Sequence, residues 1–179
     1  MARSPFLQLE RTLNHATRFV EEVRSDIERA WRDSADLPPR IRSVHETPGH
    51  TTPEFRTLSI PIPPGAGSLP VEVLSGLIAH YAGEKRPDRL LLALEAEMDG
   101  GPILIAEARD RGGSRLFWLQ PFSRLAGEIT WGEPRNGGWC DPGDQEMILD
   151  ESFLHLPAPR VPVHRAAQRV PGPPQLTAR

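Results

Sequence analysis

The sequence predicts an α+β fold of two layers, with a long N-terminal helix and a second helix packed on a mostly antiparallel sheet of four to five strands, a β-α-β-β-β core. Three observations lead there. Residues 6–31, FLQLERTLNHATRFVEEVRSDIERAW, place Phe6, Leu9, Leu13, Ala16, Val20, Val23, Ile27 and Ala30 at alternating spacings of three and four, the period of one helix face. Around residues 68–82 the same period returns on Val71, Leu74, Ile78 and Tyr81, with Val73 and Leu77 beside them. Between Arg89 and Phe122 lie three apolar runs separated by DGG and DRGG, and aspartate-glycine supplies the positive φ angles of a tight hairpin. A sheet of this kind needs a covered face, which the two helices can supply.

The first helix opens well. Ser4 can accept from an orphan amide, and Pro5 sits where its missing N–H costs nothing. Pro38 and Pro39 forbid continuation, so residues 1–36 read as an amphipathic helix and residues 37–53, which have no sustained period, as a linker. In EFRTLSIPIPP, Arg56, Leu58, Ile60 and Ile62 point one way, and Pro61 makes this an edge strand because proline cannot donate to a ladder. Gly83 is the expected stop of the second helix.

Along the next run, Leu90, Leu92, Leu94, Ala96 and Met98 take one face, and Leu91, Ala93, Glu95 and Glu97 the other. Closing the hairpin at Asp99–Gly100 or at Gly100–Gly101 leaves Leu94 and Ala96 on the same face as Ile103, Ile105 and Glu107. The third run, residues 115–122, can face either way. GEITW suggests a fourth strand, and an Asn136–Gly137 turn after it would bring Trp131 near Trp139. DPGDQEMILDESFLHLP reads as a short helix capped by Asp144, or as another strand. The core then spans residues 54–156, and residues 157–179, rich in proline and arginine with no acid, form a tail expected to be flexible.

Composition narrows the function classes. A hydrophobic share of 38% with 25% charged residues is that of a globular chain, and a net charge of −3 does not favour nucleic acid or a membrane surface. Lys85 is the single lysine among 21 basic residues. With Cys140 the only cysteine, neither an intrachain disulfide nor a cysteine-built zinc site is expected. Glu10 and Arg11 stand where an export signal needs an apolar core, and the longest apolar run, Leu90 to Leu94, is too short to span a bilayer, so the expected location is cytoplasmic.

The heptad stripe carries the main functional expectation. Phe6, Leu13, Val20 and Ile27 fall at a positions, and Leu9, Ala16, Val23 and Ala30 at d. β-branched a residues suit a two-stranded coil, but the alanines bury little, and Phe19 and Trp31 at the flanks widen the stripe toward that of a helix lying on a core. Two readings stay open and can coexist: packing on the chain's own sheet, or contact with a second chain. The candidate interaction surface is Phe6, Leu9, Leu13, Val20, Val23 and Ile27.

Chemical motifs are sparse. HETPGH offers His45, Glu46 and His50, but the histidines are five apart and Pro48–Gly49 breaks any helix between them, so a metal would need a loop geometry and a third ligand such as His155, Asp141 or Asp144. Glu95 and Glu97, about 7 Å apart along a strand face, have the spacing of paired acids, but two glutamates near a strand end read first as a solvated face. Glu107 shares a face with Leu94 and Ile105, and if buried needs a partner, for which Arg109 is nearest. Ser75 lacks a nucleophile elbow, Cys140 has no adjacent histidine, and the glycine pairs fall between strands rather than before a helix. Trp118, Trp131 and Trp139 are candidates for lining a pocket.

The sequence therefore points to a cytoplasmic binding or assembly module without catalysis or cofactor, acting through a homodimer or another protein. A metal-dependent enzyme built on His45, Glu46 and His50 is one alternative. Weak nucleic-acid binding by the arginine-rich tail is another.

Overall fold

A computed structural model describes residues 5–154. The Ser4 cap, His155 and the proline- and arginine-rich tail lie outside the described residues. The order is α1 (Pro5–Arg32), β1 (Arg40–His45), β2 (Glu54–Ser59), α2 (Val71–Lys85), β3 (Arg89–Met98), β4 (Gly101–Asp110), β5 (Arg115–Leu125), β6 (Glu128–Trp131) and a one-turn α3 (Glu151–Leu154). The fold is α+β, with one six-stranded sheet in the order β2-β1-β3-β4-β5-β6, every pair antiparallel.

Several expectations are corrected. The sheet has six strands rather than four or five, because residues 37–53 are not a bare linker: Arg40–His45 forms β1 and pairs on both sides. Its arginines hid the pattern. Arg40 and Arg42 face α1, where Arg40 Nη1 lies 2.8 Å from Asp26 Oδ2 and the Arg42 fork engages both oxygens of Glu22. That guanidinium holds the Glu22 carboxyl below the usual carboxylate range.

The helices also do not share a face. α1 packs Ala16, Phe19, Val20, Val23 and Ile27 on Val44, Leu91, Ala93, Leu104, Ala106 and Ala108. α2 packs Leu74, Ile78 and Ala82 on Ile41, Leu90 and Leu92, with Leu149 beside them. Odd and even residues of β3 point to opposite faces, so the sheet lies between two helical layers. The run Leu90 to Leu94 is apolar without alternation because both its faces are covered.

Local chemistry explains the turns. Asp99 and Gly100 take φ of 53° and 80°, as a two-residue hairpin loop requires, and Met98 pairs with Gly101. The register sets Leu94 opposite Ile105 and Ala96 opposite Ile103, the facing expected from sequence. On β5, Leu116, Trp118, Gln120 and Phe122 oppose or continue the α1 side. α2 runs through Gly83 and stops at Arg86, which adopts a left-handed conformation (φ 50°) and donates its N–H to Ala82 O at 2.8 Å. Nor does a helix start at Asp144. Residues 147–150 form turns that precede α3.

Candidate functional site

Where α1 crosses the start of β3, the interior is polar. Arg89 is 1% exposed and satisfied on three sides: Nε donates to Thr12 Oγ1 (2.9 Å), Nη1 to Glu46 Oε1 (2.8 Å) and Nη2 to Gln8 Oε1 (2.6 Å). Thr12 in turn donates to Asp110 Oδ2 at 2.7 Å, and Asp110 Oδ1 accepts the Ser114 N–H at 3.0 Å. α1 thus places Gln8 and Thr12 one turn apart, on the face that meets the sheet. Sequence reading missed Arg89, since an arginine opening an apolar strand looks like a boundary. His15 stands beside this network, and burial followed by the Arg89 charge keeps its imidazole pKa below the ordinary value.

The histidine loop does not assemble. His45 closes β1, and its Nε2 lies 3.1 Å from Ser43 Oγ; burial lowers its pKa. Glu46 turns toward Arg89 and Arg11, while its N–H donates to Asp88 Oδ2 at 2.6 Å. His50 is exposed in the following turn. Among the described residues, no three of His, Cys, Asp and Glu are grouped to hold a metal ion. Asp141 accepts the Gly143 N–H instead.

On the other face Glu107 is buried, yet Arg109 is not its partner. Its two oxygens accept the N–H groups of Ile148 (3.0 Å) and Leu149 (2.9 Å), and Arg109 and Arg115 engage Asp150. Burial pushes the Glu107 carboxyl up to about 7 against the pull of those two amides. Its role is to fasten residues 148 and 149 to the sheet. Glu95 pairs with Arg124, and Glu97 is exposed, so the two acids are not a matched couple.

The tryptophans divide into separate pairs. Trp131 stacks on Phe122 with centroids 4.8 Å apart and donates to Glu28 Oε1 at 2.7 Å, whereas Trp139 lies against Trp118 at 5.5 Å. Trp118, Trp131 and Trp139 all pack against the α1-side core. Cys140 is half-buried, and its backbone bridges to Phe117 in both directions.

What the fold leaves outside is apolar. Along the heptad stripe, Val20, Val23 and Ile27 are buried on the chain's own sheet, while Phe6, Leu9 and Leu13 stand exposed beside Gln8 and Thr12, which turn toward β3 and β4. Phe6 and Leu9 line a recess of about 590 Å3 with the Gly112–Arg115 turn, Asp141 and Asp144. β2 exposes Phe55 on the α1 side and Leu58 on the α2 side, and α2 exposes Val73 and Leu77. A second recess, of about 540 Å3, has proline walls and the acids Asp36 and Glu95. The exposed residues of β2 and α2 were legible only as members of amphipathic elements. Nothing local marked them as outward.

Compared with known proteins, the chain matches no family model, no curated protein and no solved structure. No helix among the described residues is long and apolar enough to cross a membrane.

Proposed function

We propose that this chain is a cytoplasmic, non-catalytic module that works through protein contacts, with a second copy of itself or another protein as partner. One observation carries the reading. The buried Arg89 and Glu107 are tied, the one to Glu46 and the other to the Ile148 and Leu149 amides, while large apolar side chains stay outside on three elements: Phe6, Leu9 and Leu13 of α1, Phe55 and Leu58 of β2, and Val73 and Leu77 of α2. A chemical site needs polar groups converging on a cavity; a contact surface needs exposed apolar side chains with a polar rim. The exposed apolar side chains on α1, β2 and α2 support the second reading.

The α1 tip is the clearest surface, because its stripe continues the buried one as exposed side chains, Phe6 and Leu9 lining the recess beside Gly112 and Gly113. Light scattering on the intact chain, from low micromolar to near millimolar, together with elemental analysis of protein purified without an affinity tag, tests the reading. A mass that rises with concentration and substoichiometric metal are expected. One tightly held metal per chain would overturn it, and a strict monomer would overturn the second copy as partner and leave another protein.

A further inference from the structure

β2 ends the sheet, and among the described residues no strand pairs with its outer side. The backbone alternation there can be read from one bond. Ile60 N–H donates to Pro39 O at 2.8 Å, so in the β1–β2 register the pairs Ile41–Leu58, Ser43–Arg56 and His45–Glu54 are those that exchange hydrogen bonds. The N–H and C=O groups of Phe55, Thr57 and Ser59 therefore point away from β1. Pro53 and Pro61 share that outward parity, and proline, with no N–H, costs the β1 ladder nothing there. The result is a free row of three donors bounded by two prolines.

Each flank of this row carries one large apolar side chain, Phe55 on one face and Leu58 on the other, each close to half exposed. On the α2 face the patch extends beyond the strand. Tyr81 meets Ser43 of β1 through its hydroxyl at 2.9 Å, and Leu77, one turn earlier on the same side of α2, is exposed. Natural sheets guard such edges with charged side chains, proline or a covering element, and here Pro53 and Pro61 close the ends of the row but leave the three residues between them open. Here the chain's one lysine lies elsewhere, at the end of α2.

We infer that the outer edge of β2 is a strand-addition site whose occupant is β2 of a second copy, antiparallel about a two-fold axis between the two Phe55 residues. The inference rests on the contact-module reading and names its partner. A two-fold normal to the sheet keeps each face on its own side, so opposed residues must share parity. Centred on Phe55, the pairing sets Glu54 of each copy against Arg56 of the other, both on the α2 face, where they already form a 2.8 Å ion pair within the strand. It also sets Phe55 against Phe55, an aromatic cross-strand pair. Phe55 N–H groups then exchange bonds with one another, and each Thr57 N–H reaches the partner's Pro53 carbonyl. A shift that centres the pairing on Arg56 would oppose two guanidiniums. Charge complementarity thus favours a second copy, and the Phe55-centred register over the Arg56-centred one.

The test is charge reversal and swap on the intact chain. Dimer dissociation constants are measured by analytical ultracentrifugation at low and high salt for the natural chain, Glu54→Arg, Arg56→Glu, the double swap, and Leu9→Asp/Leu13→Asp at the α1 tip. Circular dichroism confirms that each variant is folded; these side chains are exposed, so folding should be unaffected. The expected result is a dimer that each single reversal weakens at least tenfold, that the double swap restores, and that the tip variant leaves unchanged. Slowed amide exchange at Phe55 and Thr57 in the dimer is expected beside it. A dimer indifferent to the single reversals but lost in the tip variant overturns the edge and leaves the contact module standing. A double swap that fails to restore the dimer overturns the self-paired register. A monomer at every concentration overturns the self-paired edge.

Discussion

Replacing Glu107 by glutamine probes a buried carboxylate whose cost depends on pH. In the folded chain the group is 3% exposed and its pKa is raised to about 7, mainly by burial, with Asp150 adding to the rise and the Ile148 and Leu149 amides and Arg115 opposing it. In the unfolded chain it returns to its ordinary value of 4.5. Between those values the folded state holds more protons than the unfolded one, so stability falls as pH rises. The contribution is fully present below pH 4.5 and has been lost above pH 7. From pH 5 to pH 8 this single group should remove roughly 2–3 kcal/mol, since each pH unit between the two pKa values costs about 1.4 kcal/mol.

In the Glu107→Gln variant the side chain cannot ionise, so that slope should vanish. The amide offers one oxygen where the carboxylate offered two, leaving one of the N–H groups of Ile148 and Leu149 facing an NH2, at a pH-independent cost of about 1–3 kcal/mol. Urea denaturation of both proteins at pH 5 and pH 8 gives the comparison, read from midpoints at unchanged slope. The natural chain's advantage over Glu107→Gln should be largest at pH 5 and shrink or reverse at pH 8. A stability difference that is the same at both pH values would refute the argument, since it would mean that Glu107 titrates alike folded and unfolded.

Two further substitutions test the frame around the contact surfaces. Arg89→Ala leaves Glu46, Gln8 and Thr12 without their shared donor in a buried setting, and about 3–5 kcal/mol of unfolding free energy should be lost in chemical denaturation; Arg89→Lys should recover only part, because an ammonium cannot span the fork. A loss under about 1 kcal/mol would show that the network is not what fastens α1 to β3. Gly100→Ala puts a side chain at φ 80° in the β3–β4 hairpin with no atom within 4 Å to clash, so backbone strain alone should cost about 1 kcal/mol, seen as a melting temperature lowered by roughly 3 °C.

Much of the fold was written locally. The long first helix, the Asp99–Gly100 turn and the facing of β3 against β4 follow from period and turn chemistry, which act over a few residues. β2 as an edge strand followed from Pro61, and its outward parity shows why proline is tolerated there. β1 was harder. Arg40 and Arg42 made it look polar because their partners, Asp26 and Glu22, lie on a different element. Glu107 illustrates the same limit: its face could be read from the hairpin, but the amides that satisfy it in the interior belong to Ile148 and Leu149, far along the chain.

The sequence by itself determined which residues of each element share a face, because side-chain direction repeats every 3.6 or 2 residues whatever lies opposite. Only the tertiary structure decided what lies opposite. It put α1 and α2 on different sides of the sheet, and it divided one unbroken heptad stripe into a buried half, Val20 to Ile27, and an exposed tip, Phe6 to Leu13. Periodicity reports that a surface is apolar; burial depends on which of its residues the sheet meets, and near Leu9 and Leu13 that contact is made by Gln8 and Thr12 instead. The sheet is placed there by strand pairing between segments distant in sequence.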